Sequence, residues 1–198
     1  MRYGDLADRV ARLAGAFARR GLAPGDRLAV YARKTASAVT AFLAGAAAGG
    51  VFYPVDSNQP PAVVRAILDQ TAPRIVCVAA EFAAALEELY PGRPPFAVVV
   101  LDGPAAGGLD TLETLAADPF PASLPLIGWD DPVYLNFTSG TTGAPKGAVT
   151  TLGNLLSNTQ ACVEVFGLTA EDVHLCMMPV FVHPHETQIG RASCRERV

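Results

Sequence analysis

Short apolar, β-prone runs alternate with helical stretches from residue 5 to residue 101 of this chain, and that alternation leaves few folds open. Over 5–20, Leu6, Val10, Leu13 and Phe17 recur at helical spacing, with Asp5 placed as the N-cap and Gly21 just past the end. Gly25-Asp26 turns the chain into the apolar run 28–32, after which 37–48 reads as a second helix and 51–55 as a second strand. Pro60-Pro61 opens a helix running to Gln70, 75–78 is a short strand, 81–90 a helix, and 96–101 a strongly β-prone run. Units of this kind need helical crossovers between parallel strands. The expected fold class is therefore α/β, with alternating strands and helices and a mostly parallel sheet.

The rhythm changes after residue 101. Residues 102–131 contain Gly107-Gly108 and many prolines around one short helical stretch near 111–117, which reads as a long surface connection. Residues 132–137 form a strand leading into the polar, glycine-rich segment 138–147, and 152–166 is a helix ended by Gly167. No internal repeat and no heptad is present. The chemistry is expected at the junction between the 132–137 strand and the loop after it.

Composition narrows the function classes. Of 198 residues, 51% are hydrophobic and 17% charged, so most of the chain packs and disorder is excluded. A formal net charge of −4 provides no global field for nucleic acid or anionic lipid, so any bound phosphate must be held locally. Residues 35–55 carry no charge and are long enough to span a bilayer, but they are mostly Ala and Gly and include Gly49-Gly50 and Pro54. A buried helix followed by a buried strand explains them better, and no integral membrane segment is expected. Asp5, Asp8 and Arg9 interrupt any apolar leader. Cys77, Cys162, Cys176 and Cys194 form no CxxC pair and no metal-ligand spacing, which makes a reducing cytoplasm the expected location.

Residues 136–147 read NFTSGTTGAPKG. A segment that wraps polyphosphate needs inward-facing N–H groups and little side-chain bulk, which Gly140, Gly143 and Gly147 permit. Thr138, Ser139, Thr141 and Thr142 add hydroxyls, Pro145 stiffens the turn, and Lys146 supplies a point charge. An ordinary solvated Gly/Thr turn is the bland alternative. Lys146 lies between Pro145 and Gly147, which excludes a Walker A loop, and no G-x-G occurs anywhere, which excludes a dinucleotide fingerprint.

This loop resembles that of the acyl-adenylating superfamily, which includes acyl-CoA synthetases, adenylation domains of nonribosomal peptide synthetases and luciferases. At roughly 6% per residue type, the eight matching positions of SGTTG and PKG recur by chance on the order of 10⁻⁸ to 10⁻⁷ times in a chain this long, so the bland turn loses ground. The resemblance extends to about Gln188. RYGDLADRVARLAGAFARRGLAPGDRLAV at 2–30 is similar to the family's opening helix and strand, LAGAAAGGVFYPVD at 43–56 to its AGA-x-x-x-P-x-D segment, and Asn154-Leu155 follow the loop as in the family. Position 152 is Leu where the family often has His, so no role is carried to it.

The resemblance implies ATP-dependent activation of a carboxylic acid to an acyl adenylate with release of pyrophosphate. Transfer to a thiol follows, CoA in the first reading and a carrier-protein phosphopantetheine in the alternative of a peptide-synthetase adenylation domain. Mg²⁺ with the ATP is implied too. By motif position, Thr138, Ser139, Gly140, Thr141, Thr142, Gly143 and Lys146 would bind the ATP phosphates. MPVFVHPHE at 178–186 falls where the family places an acyl-pocket residue, so Phe181, His183 and His185 are the pocket candidates. Zinc on His183, His185 and Glu186 and a plain structural loop are the rival readings of that segment, and no third ligand pattern supports the metal. The family's later adenine, ribose and C-terminal lysine motifs do not occur. Residues 1–189 accordingly read as a partial AMP-binding N-terminal domain that alone would be an inactive nucleotide-binding fragment. Residues 190–198, GRASCRERV, continue no amphipathic face and read as a non-native junction, with a native basic tail as the alternative.

Overall fold

The computed structural model describes residues 2–103, 108–121, 123–138, 146–169 and 171–172. Its first half follows the expected alternation: α1 (Tyr3–Arg19), β1 (Arg27–Tyr31), α2 (Ala36–Ala47), β2 (Val51–Val55), α3 (Pro61–Thr71), β3 (Ile75–Val78), α4 (Ala80–Leu89) and β4 (Ala97–Val100). Then come β5 (Asp110–Thr111), α5 (Leu112–Ala116), β6 (Pro132–Thr138), β7 (Lys146–Thr151) and α6 (Leu152–Phe166). The strands form one sheet in the order β5-β4-β3-β1-β2-β6-β7, in which every neighbouring pair is parallel except β6 and β7. The expected mostly parallel α/β architecture is what the chain adopts.

Strand residues alternate between two cores. Leu28, Val30, Phe52, Ile75 and Cys77 face Leu13, Phe17, Phe42, Leu112 and Leu115 from α1, α2 and α5. Ala29, Tyr31, Tyr53, Val55, Val76 and Val78 face Val64, Leu68 and Leu86 from α3 and α4. Because helices cover both faces, these strands are continuous apolar runs rather than alternating ones. The uncharged run 35–55 is divided between α2 and β2, and no helix among the described residues is long and apolar enough to cross a membrane.

Helix ends show how local chemistry sets the boundaries. The first helix begins earlier than expected: Asp5 is its third residue, not its N-cap, and accepts a hydrogen bond from the Arg2 backbone N–H at 2.9 Å. A carboxylate there satisfies an orphan donor and complements the helix dipole. Pro61 starts α3, where its missing N–H costs nothing. That helix ends on Ala72 in the left-handed region, φ +43°, and the Arg27 guanidinium donates to the Thr71 and Ala72 carbonyls at 2.8 and 3.0 Å. The arginine thus satisfies carbonyls that a C-terminal glycine motif would otherwise serve.

The expected surface connection 102–131 is more structured than its glycines and prolines suggest. It contributes β5 and α5, and arginines of α1 hold it down. Arg9 meets Glu113 at 2.5 Å, Arg19 meets Asp118 at 2.8 Å, and Arg20, the residue ending α1, meets Asp110 at 2.6 Å. Arg12 donates to the Asp118 carbonyl at 3.0 Å and covers the Phe120 ring at 3.9 Å. Gly15 lets Pro121 approach so closely that an added β-carbon would lie 2.9 Å from its Cβ.

Candidate functional site

Since β6 runs parallel to β2, Thr138 ends at the carboxyl edge of the sheet, where ligands of open α/β folds bind. The next strand returns antiparallel, with paired positions running from Thr138↔Lys146 to Pro132↔Thr151. The two ends of the glycine-rich segment are therefore held side by side on a hydrogen-bonded ribbon. This return strand was not legible beforehand: Lys146 and Gly147 read as loop, and 148–151 carried no assignment.

Aromatic packing attaches the ribbon to the sheet. Only Phe52↔Tyr134 is registered as a β2–β6 pair, and their rings stack at 5.7 Å. Phe42 lies 4.4 Å from Phe52 on the other side. Removing the fully buried Phe52 ring would cost roughly 3–5 kcal/mol and would loosen this junction. Nearer the edge, Phe137 meets Tyr53 edge-on at 5.8 Å. Across the ribbon Gly147 faces Phe137, and an added β-carbon would lie 3.3 Å from two ring carbons. Gly147 thus has a packing role against Phe137, which its reading as a loop glycine did not include. Burial raises the Tyr53 hydroxyl well above its ordinary pKa, and that neutral hydroxyl is bonded to Thr71 Oγ1 at 2.5 Å.

A backbone knot closes the other end of the ribbon. Asp131 Oδ2 accepts from Gly128 N–H at 2.6 Å and shapes the turn into β6. The Asp131 carbonyl accepts from Leu152 N–H at 2.9 Å, and the Trp129 carbonyl from Gly153 N–H at 2.7 Å. Both donors belong to the first turn of α6, which has no intrahelical acceptors for them. Thr151 and Asn154 complete the cap: Asn154 N–H donates to Thr151 Oγ1 and Thr151 N–H to Asn154 Oδ1, each at 3.2 Å. Asn154, singled out by resemblance, therefore has a structural role at the helix start. Sequence reasoning did not find Trp129, Asp131, Phe137 and Gly153 as supports of the ribbon. Two faint signals were Asp131 directly before a strand proline and a glycine near the start of a helix.

Of the expected phosphate-binding residues, the structure brings the backbones of Thr138 and Lys146 together and leaves Lys146 exposed. Ser139, Gly140, Thr141, Thr142 and Gly143 lie outside the described residues, as do Phe181, His183, His185 and the 190–198 segment. Among the described residues there is no group of three or more His, Cys, Asp or Glu that could hold a metal ion.

The arrangement is a two-stranded ribbon that holds the backbones of Thr138 and Lys146 side by side at the carboxyl edge of a mostly parallel sheet. The profile of the family described as AMP-binding enzyme matches residues 1–186. Feruloyl-CoA synthase of an Amycolatopsis species is 36% identical over 192 residues, which cover 95% of this chain and 35% of that protein. Among solved structures, acetoacetyl-CoA synthetase from Streptomyces lividans superposes with a TM-score of 0.85 at 25% identity, covering 96% of this chain and 32% of that one. ATP-bound MatB from Rhodopseudomonas palustris gives a TM-score of 0.78 at 28% identity, covering 97% of this chain and 37% of that one. The chain spans about a third of the length of these relatives.

Proposed function

The chain belongs to the AMP-binding enzyme family, and from that premise we propose that it forms part of an ATP-dependent, AMP-forming carboxylate–thiol ligase. A carboxylate oxygen attacks the α-phosphorus of ATP, the bond to the pyrophosphate oxygen breaks, and an acyl adenylate forms. A thiolate then attacks the acyl carbonyl and AMP departs with the bond's electron pair. The observation that carries this reading is the antiparallel pairing of Thr138 with Lys146 at the carboxyl edge of the sheet.

Charge accumulates on the leaving pyrophosphate, and a loop of fixed N–H groups, hydroxyls and one ammonium stabilises it where it develops. In this reading Thr138, Ser139, Gly140, Thr141, Thr142 and Gly143 bind the β- and γ-phosphates and Lys146 neutralises them. Phe181, His183 and His185 line the acyl pocket. Mg²⁺ would arrive with the triphosphate and offset its charge; no side-chain cluster among the described residues is assigned to it. CoA is favoured as the acceptor because the feruloyl-CoA and acetoacetyl-CoA enzymes are similar to this chain. A carrier-protein phosphopantetheine is the second acceptor class, distinguished by whether product appears as free acyl-CoA or on the carrier arm. Both substrates point to the cytoplasm.

The decisive experiment is Lys146→Ala in the full-length enzyme. ATP–pyrophosphate exchange is expected to slow by some tens-fold or more. Unchanged exchange would remove Lys146 from the phosphate site. The 198-residue chain alone is expected to form no adenylate, and turnover by it would show that the pocket needs nothing further.

A further inference from the structure

At the amino edge of the sheet, opposite the Thr138–Lys146 ribbon, three arginines converge on one cleft. Arg20 ends α1, Arg74 immediately precedes β3, and Arg93 lies in the turn before β4. With Pro94, Pro95 and Leu109 they help to line a cavity of about 650 Å³ that has no acidic side chain in its wall. A four-residue strand at roughly 3.3 Å per residue separates this edge from the carboxyl edge, so the cleft is no extension of the ATP site.

The three guanidiniums are not equivalent. Arg20 is already engaged, by Asp110 at 2.6 Å, Asp118 at 3.8 Å and the Ala16 carbonyl at 3.3 Å. Arg74 donates from Nε to the Gly21 carbonyl at 3.1 Å. That bond fixes the plane of its guanidinium and leaves the terminal nitrogens for a ligand. Gly21 has φ +86°, and a β-carbon there would lie 2.5 Å from Arg74 Nη2, so the glycine is what lets the guanidinium lie where it does. Arg93 has no hydrogen bond or ion pair to any described residue. Two planar cations, one pre-oriented, thus stand beside an apolar wall without a carboxylate to neutralise them. Such a fork matches phosphate oxygens better than water does.

We propose that this cleft binds a small phosphate monoester, its phosphoryl oxygens accepting from Arg74 and Arg93 and its apolar body resting on Pro94, Pro95 and Leu109. The two arginine charges match the dianion. The apolar wall gives preference for an ester over inorganic phosphate.

The test titrates the full chain with phenyl phosphate at constant ionic strength, followed by ¹H–¹⁵N NMR. The expected result is saturable shifts at residues 74, 93 and 96–98, with affinity at least about tenfold above that for inorganic phosphate. Arg93→Gln, at a residue that no internal bond depends on, should weaken binding about tenfold or more while the remaining spectrum stays native. Lys146→Ala should leave it unchanged, which separates this cleft from the ATP loop. Absence of saturable shifts at these residues, equal affinity in Arg93→Gln, equal affinity for inorganic phosphate, or loss of binding in Lys146→Ala would each overturn the proposal.

Discussion

Trp129 lies over Gly153 so closely that a β-carbon on Gly153 would fall 2.7 Å from Cε2 of the indole and nearer still to Nε1 and Cδ1. Gly153→Ala must therefore displace the ring from the first turn of α6. The strain of about 1–3 kcal/mol exceeds the roughly 1 kcal/mol that alanine gains over glycine in a helix. Net destabilisation in urea is expected. Trp129 is the only tryptophan and is 59% exposed, so its displacement should register in emission intensity and in stronger acrylamide quenching. The Trp129→Ala, Gly153→Ala pair should lose less than the two single changes added together. Native emission in Gly153→Ala would contradict the contact.

The Arg20–Asp110 pair ties the end of α1 to β5 and makes stability depend on pH. The Arg20 guanidinium, by its hydrogen bond first and its charge second, holds the Asp110 carboxyl below the usual range. A carboxyl lowered in the folded state contributes stability above its unfolded pKa and loses it as pH falls through the lowered folded value. The contribution is therefore present at neutral pH and disappears in the acid range below about 3.9. Asp110 is well exposed, so the pair is worth only about 0.5–1 kcal/mol. Chemical denaturation across pH 2–7 should show Asp110→Asn less stable at neutrality and level with the parent at the acid end.

Thr71 serves two partners, donating to the Ile67 carbonyl at 2.7 Å and accepting from the Tyr53 hydroxyl at 2.5 Å. Thr71→Val strands the buried tyrosine hydroxyl at a cost of about 1–3 kcal/mol. Adding Tyr53→Phe removes the stranded group and should recover much of that loss. Additive losses in a denaturation cycle would show that Tyr53 finds another acceptor.

Cys77 is fully buried in β3, and burial alone pushes its thiol up. Cys162, on α6, is only partly buried. Iodoacetamide followed by peptide mass spectrometry should label Cys162 in the native protein and Cys77 on the order of 10²-fold more slowly, at the rate of core opening. Equal labelling would mean that the sheet centre opens readily.

The alternation of β1 to β4 with their helices was legible because each strand is a continuous apolar run bounded by glycine or proline, as at Gly25, Gly50 and Pro95. The segment 138–147 stood out because its residue types are unusual together. By contrast, β5 is two residues long, too short for any periodicity to register. The arginine contacts that seat 110–121 on α1 join residues some hundred positions apart, as with Arg9 and Glu113, and no local pattern encodes them. The return strand β7 was missed because its first four residues are exposed and include lysine, glycine and alanine. It is a strand because β6 supplies its partners. Asp5 was misplaced by three positions because an acid fits both the cap and the third helical position.

The two margins of the sheet are unequal. One ends in the two residues of β5, with little ladder to offer; the other ends in six-residue β7, whose outer backbone has no strand partner among the described residues and whose Val149 is 59% exposed. The sheet therefore has a polarity of growth. The longer ladder open to a further strand lies beside β7, directly next to the ribbon that holds Thr138 and Lys146.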